Sequence, residues 1–253
     1  MLNVVFNLET MNFKAYITEE TDEGFVSSVK KRSIDDLPEG DVLIKVLFSS
    51  LNYKDALSAS GNKGVSRNYP HSPGIDAAGV VEESDSDVFS KGDEVIVTGY
   101  DLGMNTSGGF SEFIRVPNEW VIKKPENLSL KDSMAYGTAG LTAGLCVRKI
   151  LNSGVKPEDG EVFVTGATGG VGIISVMLLS KLGFNVVAIS GKKDQKDLLL
   201  SLGAKEVIDR SEFEGEMKSP LAKPRWAGGV DAVGSDILSN LITSTHQRAA
   251  VAC

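Results

Sequence analysis

The run Glu161-Val-Phe-Val-Thr-Gly-Ala-Thr-Gly-Gly-Val-Gly172 leaves this chain few folds to choose from. It joins a short β-branched strand, a glycine turn and the start of an apolar helix that continues from Ile173 to Leu182. Glycine tolerates positive φ and lets another group approach the bare backbone. A helix start carries unpaired N–H groups and a partial positive charge. Strand, turn and helix in this order form the frame that holds a dinucleotide pyrophosphate. The candidate contacts are Gly166, Thr168, Gly169, Gly170, Val171 and Gly172. The spacing departs from the strict G-x-G-x-x-G pattern, so an ordinary glycine turn in a βα unit is the competing explanation.

The next strand, Gly183 to Ser190, narrows the choice of nucleotide. An NAD site carries an Asp or Glu at this strand tip to bond the ribose 2′-hydroxyl. Here the tip reads Ser190-Gly-Lys-Lys193, and Asp194 comes too late to sit on it. A third strand, Lys205 to Arg210, should lie alongside and deliver Arg210 to the same place. Lys192, Lys193 and Arg210 then form a cationic cluster with no acid on the tip, which favours the 2′-phosphate of NADP. A solvated loop edge would carry the same residues.

The chain has 253 residues, a formal net charge of −8 and two cysteines, Cys146 and Cys253. The negative charge argues against nucleic acid as a partner, and the two distant thiols suggest no disulfide framework. No apolar run reaches the length of a membrane span, and the start lacks a basic, then apolar, leader; a cytoplasmic location is the expectation. Residues 1–10 read as an extension before a first strand at Met11 to Ile17.

Residues 11–128 read as a β-rich domain, with alternating runs at Val42–Phe48, Ile75–Val81 and Glu94–Thr98 between turns such as Pro73-Gly74 and Lys91-Gly-Asp93. Residues 129–253 read as alternating helices and strands, the pattern of a doubly wound parallel sheet. The helix region begins near Ser129 and runs to Leu151. Val230 to Gly234 reads as a fourth strand, with Arg225 and Trp226 in a Pro-rich connector without chemistry. Ala249 to Cys253 reads as the beginning of a fifth strand, and the fold class as α/β with an incomplete, truncated dinucleotide domain.

With both halves in view, the chain resembles the medium-chain dehydrogenase/reductase superfamily, and within it the zinc-free quinone oxidoreductase branch of the YhdH/YhfP/AcuI type. The segments that carry the resemblance run in order: Ser50–Leu57, Pro73–Gly79, Gly109–Phe113, Tyr136–Ala143, the glycine turn, Ser201–Ala204 and Val230–Gly234. It implies a GroES-like domain followed by a Rossmann domain, NADPH as cofactor, a small-molecule acceptor such as a quinone, enone or enoyl-CoA, and often a homodimer. Gln247-Arg-Ala249 departs from the pattern, standing where relatives carry a glycine pair.

Zinc-dependent relatives carry a cysteine near the position of Asn52 and a Gly-His-Glu near Gly74-Ile-Asp76, and this chain has only two histidines, His71 and His246. Zinc catalysis is therefore disfavoured from residue content. His71 reads as a loop residue and Asp76 as structural. Reduction of a quinone or an α,β-unsaturated acyl thioester remains feasible, because the substrate's own carbonyl takes the charge. By resemblance, Asn52 and Asp55 line the active cleft, and Tyr53 is a candidate donor to a developing enolate. Asn52 and Asp55 equally suit the caps of a short helix over Lys54 to Ser58. Thr138 and Thr142 resemble residues beside the nicotinamide, with backbone-bonded helix threonines as the alternative. Gly234, after the fourth strand, sits where Rossmann ligands bind. A catalytically silent NADPH-binding protein is the competing function.

Overall fold

In the region after residue 138, strands alternate with helices along the chain: β8 (Glu161–Thr165), α3 (Gly170–Lys181), β9 (Asn185–Ser190), α4 (Lys196–Ser201), β10 (Glu206–Asp209), β11 (Trp226–Val230), α5 (Ser235–Thr243) and β12 (Thr245–Ala252). The computed structural model describes residues 11–216 and 222–253. The reading of residues 1–10 as an extension lies outside the described residues. The chain divides into two compact units, up to Thr138 and from Ala139. That division falls inside a long helix, later than the change in sequence texture near residue 129.

The five strands of the second unit pair in the order β10-β9-β8-β11-β12, all parallel. Counted from β8, this is the 3-2-1-4-5 order of a doubly wound fold, with its switch point between β8 and β11. The sequence dictates burial on both faces. Val162 and Val164 of β8 and Val186 and Ala188 of β9 join Val176 and Leu179 of α3 in one core. Phe163, Val187 and Ile189 point the other way and meet Ile237 and Leu241 of α5. Adjacent residues fall in opposite cores because strand side chains alternate.

The fourth strand is β11, which starts at Trp226 and ends at Val230, so the reading of Val230 to Gly234 as that strand is corrected. Residues 231–234 are the turn that follows. Trp226 is a buried core residue 5.6 Å from Phe163, edge to face, and not part of a connector. The glycines that disguised this strand serve its packing: a Cβ on Gly229 would come within 2.4 Å of the Phe163 ring.

The first unit contains a hairpin of β1 (Asn12–Thr21) and β2 (Gly24–Ser33), and a five-stranded antiparallel sheet. That sheet comprises β3 (Val42–Ser49), β4 (Asp76–Ser84), β5 (Glu94–Thr98), β6 (Phe113–Val116) and β7 (Val121–Lys123), in the order β6-β3-β4-β5-β7. Its core is Val42, Ile44, Ala77, Val81, Val95, Val97 and Ile114 with their neighbours. A short helix, α1 (Tyr53–Ala59), follows β3. The long helix α2 (Leu130–Asn152) is interrupted at Gly137, which takes φ 48° and ψ −150°. Before the break, Leu130 and Met134 pack on Ala78 and Ile96. After it, Cys146, Val147 and Ile150 belong to the core of the second unit.

Candidate cofactor pocket and a buried polar cluster

At the carboxyl ends of β8 and β9 lies a cavity of about 310 Å³, lined by Thr165, Gly166, Thr168, Ile189, Ser190, Gly191, Lys192, Arg210, Val233 and Ile237. Open α/β sheets bind their ligands in this position. Its floor is the glycine turn. Gly166 has φ 55°, and a Cβ on Gly172 would lie 2.3 Å from the Gly166 carbonyl oxygen. The turn closes through Gly169 N–H donating to Gly166 O at 2.8 Å, and Gly169 caps α3 without offering a side chain. The first N–H groups of α3, on Gly170, Val171 and Gly172, therefore meet no side-chain cap from that residue. A turn wound too tightly for a Cβ at Gly172, beside a helix start, fits a dinucleotide pyrophosphate.

At the rim, Ser190 is buried at the tip of β9 and accepts from Lys192 N–H at 3.1 Å, while Thr168 Oγ1 lies 3.5 Å from its hydroxyl. Arg210 lies across Gly191, where a Cβ would come within 2.8 Å of its Nε, and it pairs with Glu214 at 3.0 Å. Lys192 makes no ion pair among the described residues. Lys193 does not line the cavity: its ammonium turns to Asp209 at 3.4 Å. Asp209 pairs in register with Ser190, so an acid does stand one strand away from the tip. The N–H and hydroxyl of Ser211, with Lys193, hold its carboxyl below the usual range. The sequence showed no acid on β9 but hid this neighbour, because register is not local.

The wall opposite is tied together at the switch point. The Thr165 hydroxyl donates to buried Asp231 at 2.6 Å, Ala232 N–H donates back to Thr165 Oγ1 at 3.0 Å, and Gly234 N–H donates to Asp231 at 2.8 Å. This holds Val233 against the cavity and sets Gly234, at φ 74°, as the residue before α5. Thr165, Gly191, Val233, Ile237 and Asp231 were not singled out from the sequence. Thr165 and Val233 lay inside motifs already visible, and Gly191 was signalled by its place just past a strand. Thr138 and Thr142 do not line this cavity.

In the first unit, Asp76 is fully buried and gathers four donors. Its Oδ2 accepts from the Ser50 hydroxyl, from Asn52 Nδ2 at 2.9 Å and from Thr138 N–H at 3.0 Å; its Oδ1 accepts from Thr138 Oγ1 at 2.8 Å. Asn52 Nδ2 also donates to Ser50 Oγ at 2.9 Å. Asp55 is buried nearby and accepts from the backbone N–H of Asn52 at 2.7 Å and of Ile75 at 2.9 Å. Burial raises its carboxyl above the usual range, against the pull of those N–H groups. Asp55 thus caps α1 and ties it to the segment that leads into β4. Tyr53, the first residue of α1, is 80% exposed. His71 lies in the loop before β4, buried, with Nε2 2.8 Å from Gly103 O. Among the described residues no three His, Cys, Asp or Glu side chains converge where a metal ion could sit, and no helix is long and apolar enough to cross a membrane.

An antiparallel β-rich unit followed by a doubly wound sheet with a glycine-floored cavity defines a two-unit protein of the dinucleotide-fold class. Residues 38–126 match the alcohol dehydrogenase GroES-like domain family. YhfP of Bacillus subtilis, which carries a quinone oxidoreductase name, is 46% identical over 95% of this chain and 73% of that protein. The acrylyl-CoA reductase AcuI of Ruegeria pomeroyi is 40% identical over 95% of this chain and 73% of that protein. The Salmonella enterica yhdH oxidoreductase, solved with NADP, superposes with a TM-score of 0.91 at 43% identity, covering 95% of this chain and 73% of that one. Bacillus subtilis yhfP, solved with NAD, gives 0.92 at 44% identity, covering 96% and 74%. The chain belongs to the medium-chain dehydrogenase/reductase superfamily, in the group of quinone oxidoreductases and acrylyl-CoA reductases, and is an oxidoreductase of nicotinamide-cofactor type.

Proposed function

We propose that this chain uses NADPH, without a metal, to reduce a quinone or the activated double bond of an α,β-unsaturated acyl thioester. The observation that carries the cofactor choice is the rim of the cavity: Ser190 at the tip of β9, with Lys192 and Arg210 lining the space beside it. A 2′-phosphate would meet two cations there, and Arg210 would exchange Glu214 for a bidentate phosphate contact. Asp209 does not oppose this strongly, since Lys193 is paired with it. One relative was solved with NADP and another with NAD, so the rim, rather than the family, has to decide.

When bound, the nicotinamide supplies the hydride. Gly166 to Gly172 would hold the pyrophosphate by backbone and helix start. Thr168 would bond it from the turn, and Gly234 would let the ribose approach near Val233. Thr142 on α2 is proposed to sit beside the nicotinamide, as the resemblance implies. Asn52 Nδ2 faces inward, toward Ser50 Oγ and Asp76 Oδ2, and not toward a developing enolate. Asp55 is buried with both oxygens engaged and has a positioning role. Tyr53, exposed at the start of α1, is the donor of choice among the three, its hydroxyl bonding the substrate carbonyl as charge accumulates there. Water supplies the proton, to the α-carbon of an acyl thioester or to the oxygen of a quinone.

The test is NADPH oxidation with acryloyl-CoA, crotonyl-CoA and 1,4-benzoquinone in turn. Turnover of at least one, with NADPH preferred to NADH, supports the proposal. Tight NADPH binding with no turnover of any acceptor overturns the reductase; equal use of NADH overturns the cofactor choice.

A further inference from the structure

Asp76 lies between residues proposed for chemistry and for the cofactor, yet nothing above gives it a part in either. It is fully buried and lies beside the break in α2 at Gly137. The break is shaped around it: a Cβ on Gly137 would fall 2.6 Å from Asp76 Oδ2 and 3.0 Å from Ser50 Oγ. An ionised carboxylate only accepts hydrogen bonds. Every polar group facing it must therefore turn a donor inward. Ser50 spends its hydroxyl proton, Asn52 an amide proton, and Thr138 both its N–H and its O–H on this one group. Asn52 Nδ2 also lies 2.9 Å from Ser50 Oγ.

We propose that Asp76 is a positioning residue of the reductase site. It draws the Asn52 amide nitrogen inward, toward the carboxylate and away from the substrate. It also holds Thr138 at the point where α2 resumes after Gly137. The cluster then competes for no substrate oxygen, which leaves that task to Tyr53. This rests on the reductase reading for its effect on turnover, but the orientation of the side chains does not.

Asp76→Asn tests it, because an amide in place of the carboxylate brings a donor against four donors. In hydrogen-exchange NMR, the side-chain amide protons of Asn52 and the backbone amide of Thr138 should exchange at least about tenfold faster, the loss of one charge-assisted bond. The amides of Ala77 and Gly79 within β4 should keep their rates. With the best acceptor, kcat should fall about tenfold or more while NADPH dissociation stays within about twofold. Thr138→Val and Ser50→Ala each remove one donor and should show the same pattern at smaller size, which covers the case in which Asp76→Asn does not fold. Uniform acceleration of all β4 amides, or unchanged exchange at Asn52 and Thr138, overturns the proposal. So does turnover unchanged by all three variants. Absence of turnover in the unsubstituted protein overturns the reductase reading instead, and the exchange rates still decide the orientation.

Discussion

The two units handle polar chemistry in opposite ways. In the second unit the proposed cofactor site is built on a glycine turn, a helix start and the ends of β8 and β9. In the first unit polar side chains gather around one buried carboxylate, with donors from Ser50, Asn52 and Thr138. A backbone site tolerates many side chains but almost no change at its glycines. A side-chain cluster fails when the charge or the donor count changes. Substitutions in one unit should therefore alter cofactor binding, and substitutions in the other should alter turnover.

The largest effect is expected at the turn. Gly172→Val places a branched side chain where even a Cβ lies 2.3 Å from the Gly166 carbonyl. NADPH affinity measured by calorimetry should fall about a hundredfold, with about 1–3 kcal/mol lost from folding in a denaturant titration. Retained affinity would break the backbone half of the comparison.

Next comes the rim. Lys192→Ala with Arg210→Ala should lower the ratio of NADPH to NADH affinity by roughly tenfold to a hundredfold, since each lost charge contact contributes about 1 kcal/mol or somewhat more. NADH binding itself should hardly change. Lys193→Ala, with its ammonium on Asp209, should leave the ratio alone.

Gly137→Ala sharpens the contrast from the other side. An L-residue at φ 48° and ψ −150° costs about 1–3 kcal/mol, and its Cβ would press on the Asp76 carboxylate. Loss of kcat with NADPH affinity intact is the expected result; a loss of affinity as large as that from Gly172→Val would erase the distinction.

The smallest effect is a pH dependence of stability confined to the first unit. Burial holds the His71 imidazole below its ordinary pKa, against the bond to Gly103 O and the charge of Asp101. The unfolded chain takes up a proton as pH falls through about 6.5, and the folded chain resists. Stability should decline as pH drops from about 7.5 and level off only below the depressed folded value. His71→Gln should flatten that slope in melting curves recorded across this range.

Much of this was legible in the sequence because the signals are local. The strands at Glu161–Thr165, Asn185–Ser190 and Glu206–Asp209 stand where β-branched runs and glycine turns place them. β11 was read four residues late because Trp226-Ala-Gly-Gly-Val230 looks like a loop; Gly229 makes room for the Phe163 ring from another strand. The same limit applies to the sites. The glycine turn proposed to hold the pyrophosphate is one contiguous segment, whereas Asp76 finds its partners 24, 26 and 62 residues away. Lys193 looked equivalent to Lys192 until the register of β9 and β10 put Asp209 beside it.

The central claim is that the cavity beside Ser190, Lys192 and Arg210 receives a dinucleotide bearing a 2′-phosphate. Calorimetric titration of the protein with NADPH and with NADH, at one salt concentration, tests it most directly. The account predicts NADPH binding at least about tenfold tighter, with the difference shrinking as salt rises. Equal affinities, or heat with NADH alone, would contradict it.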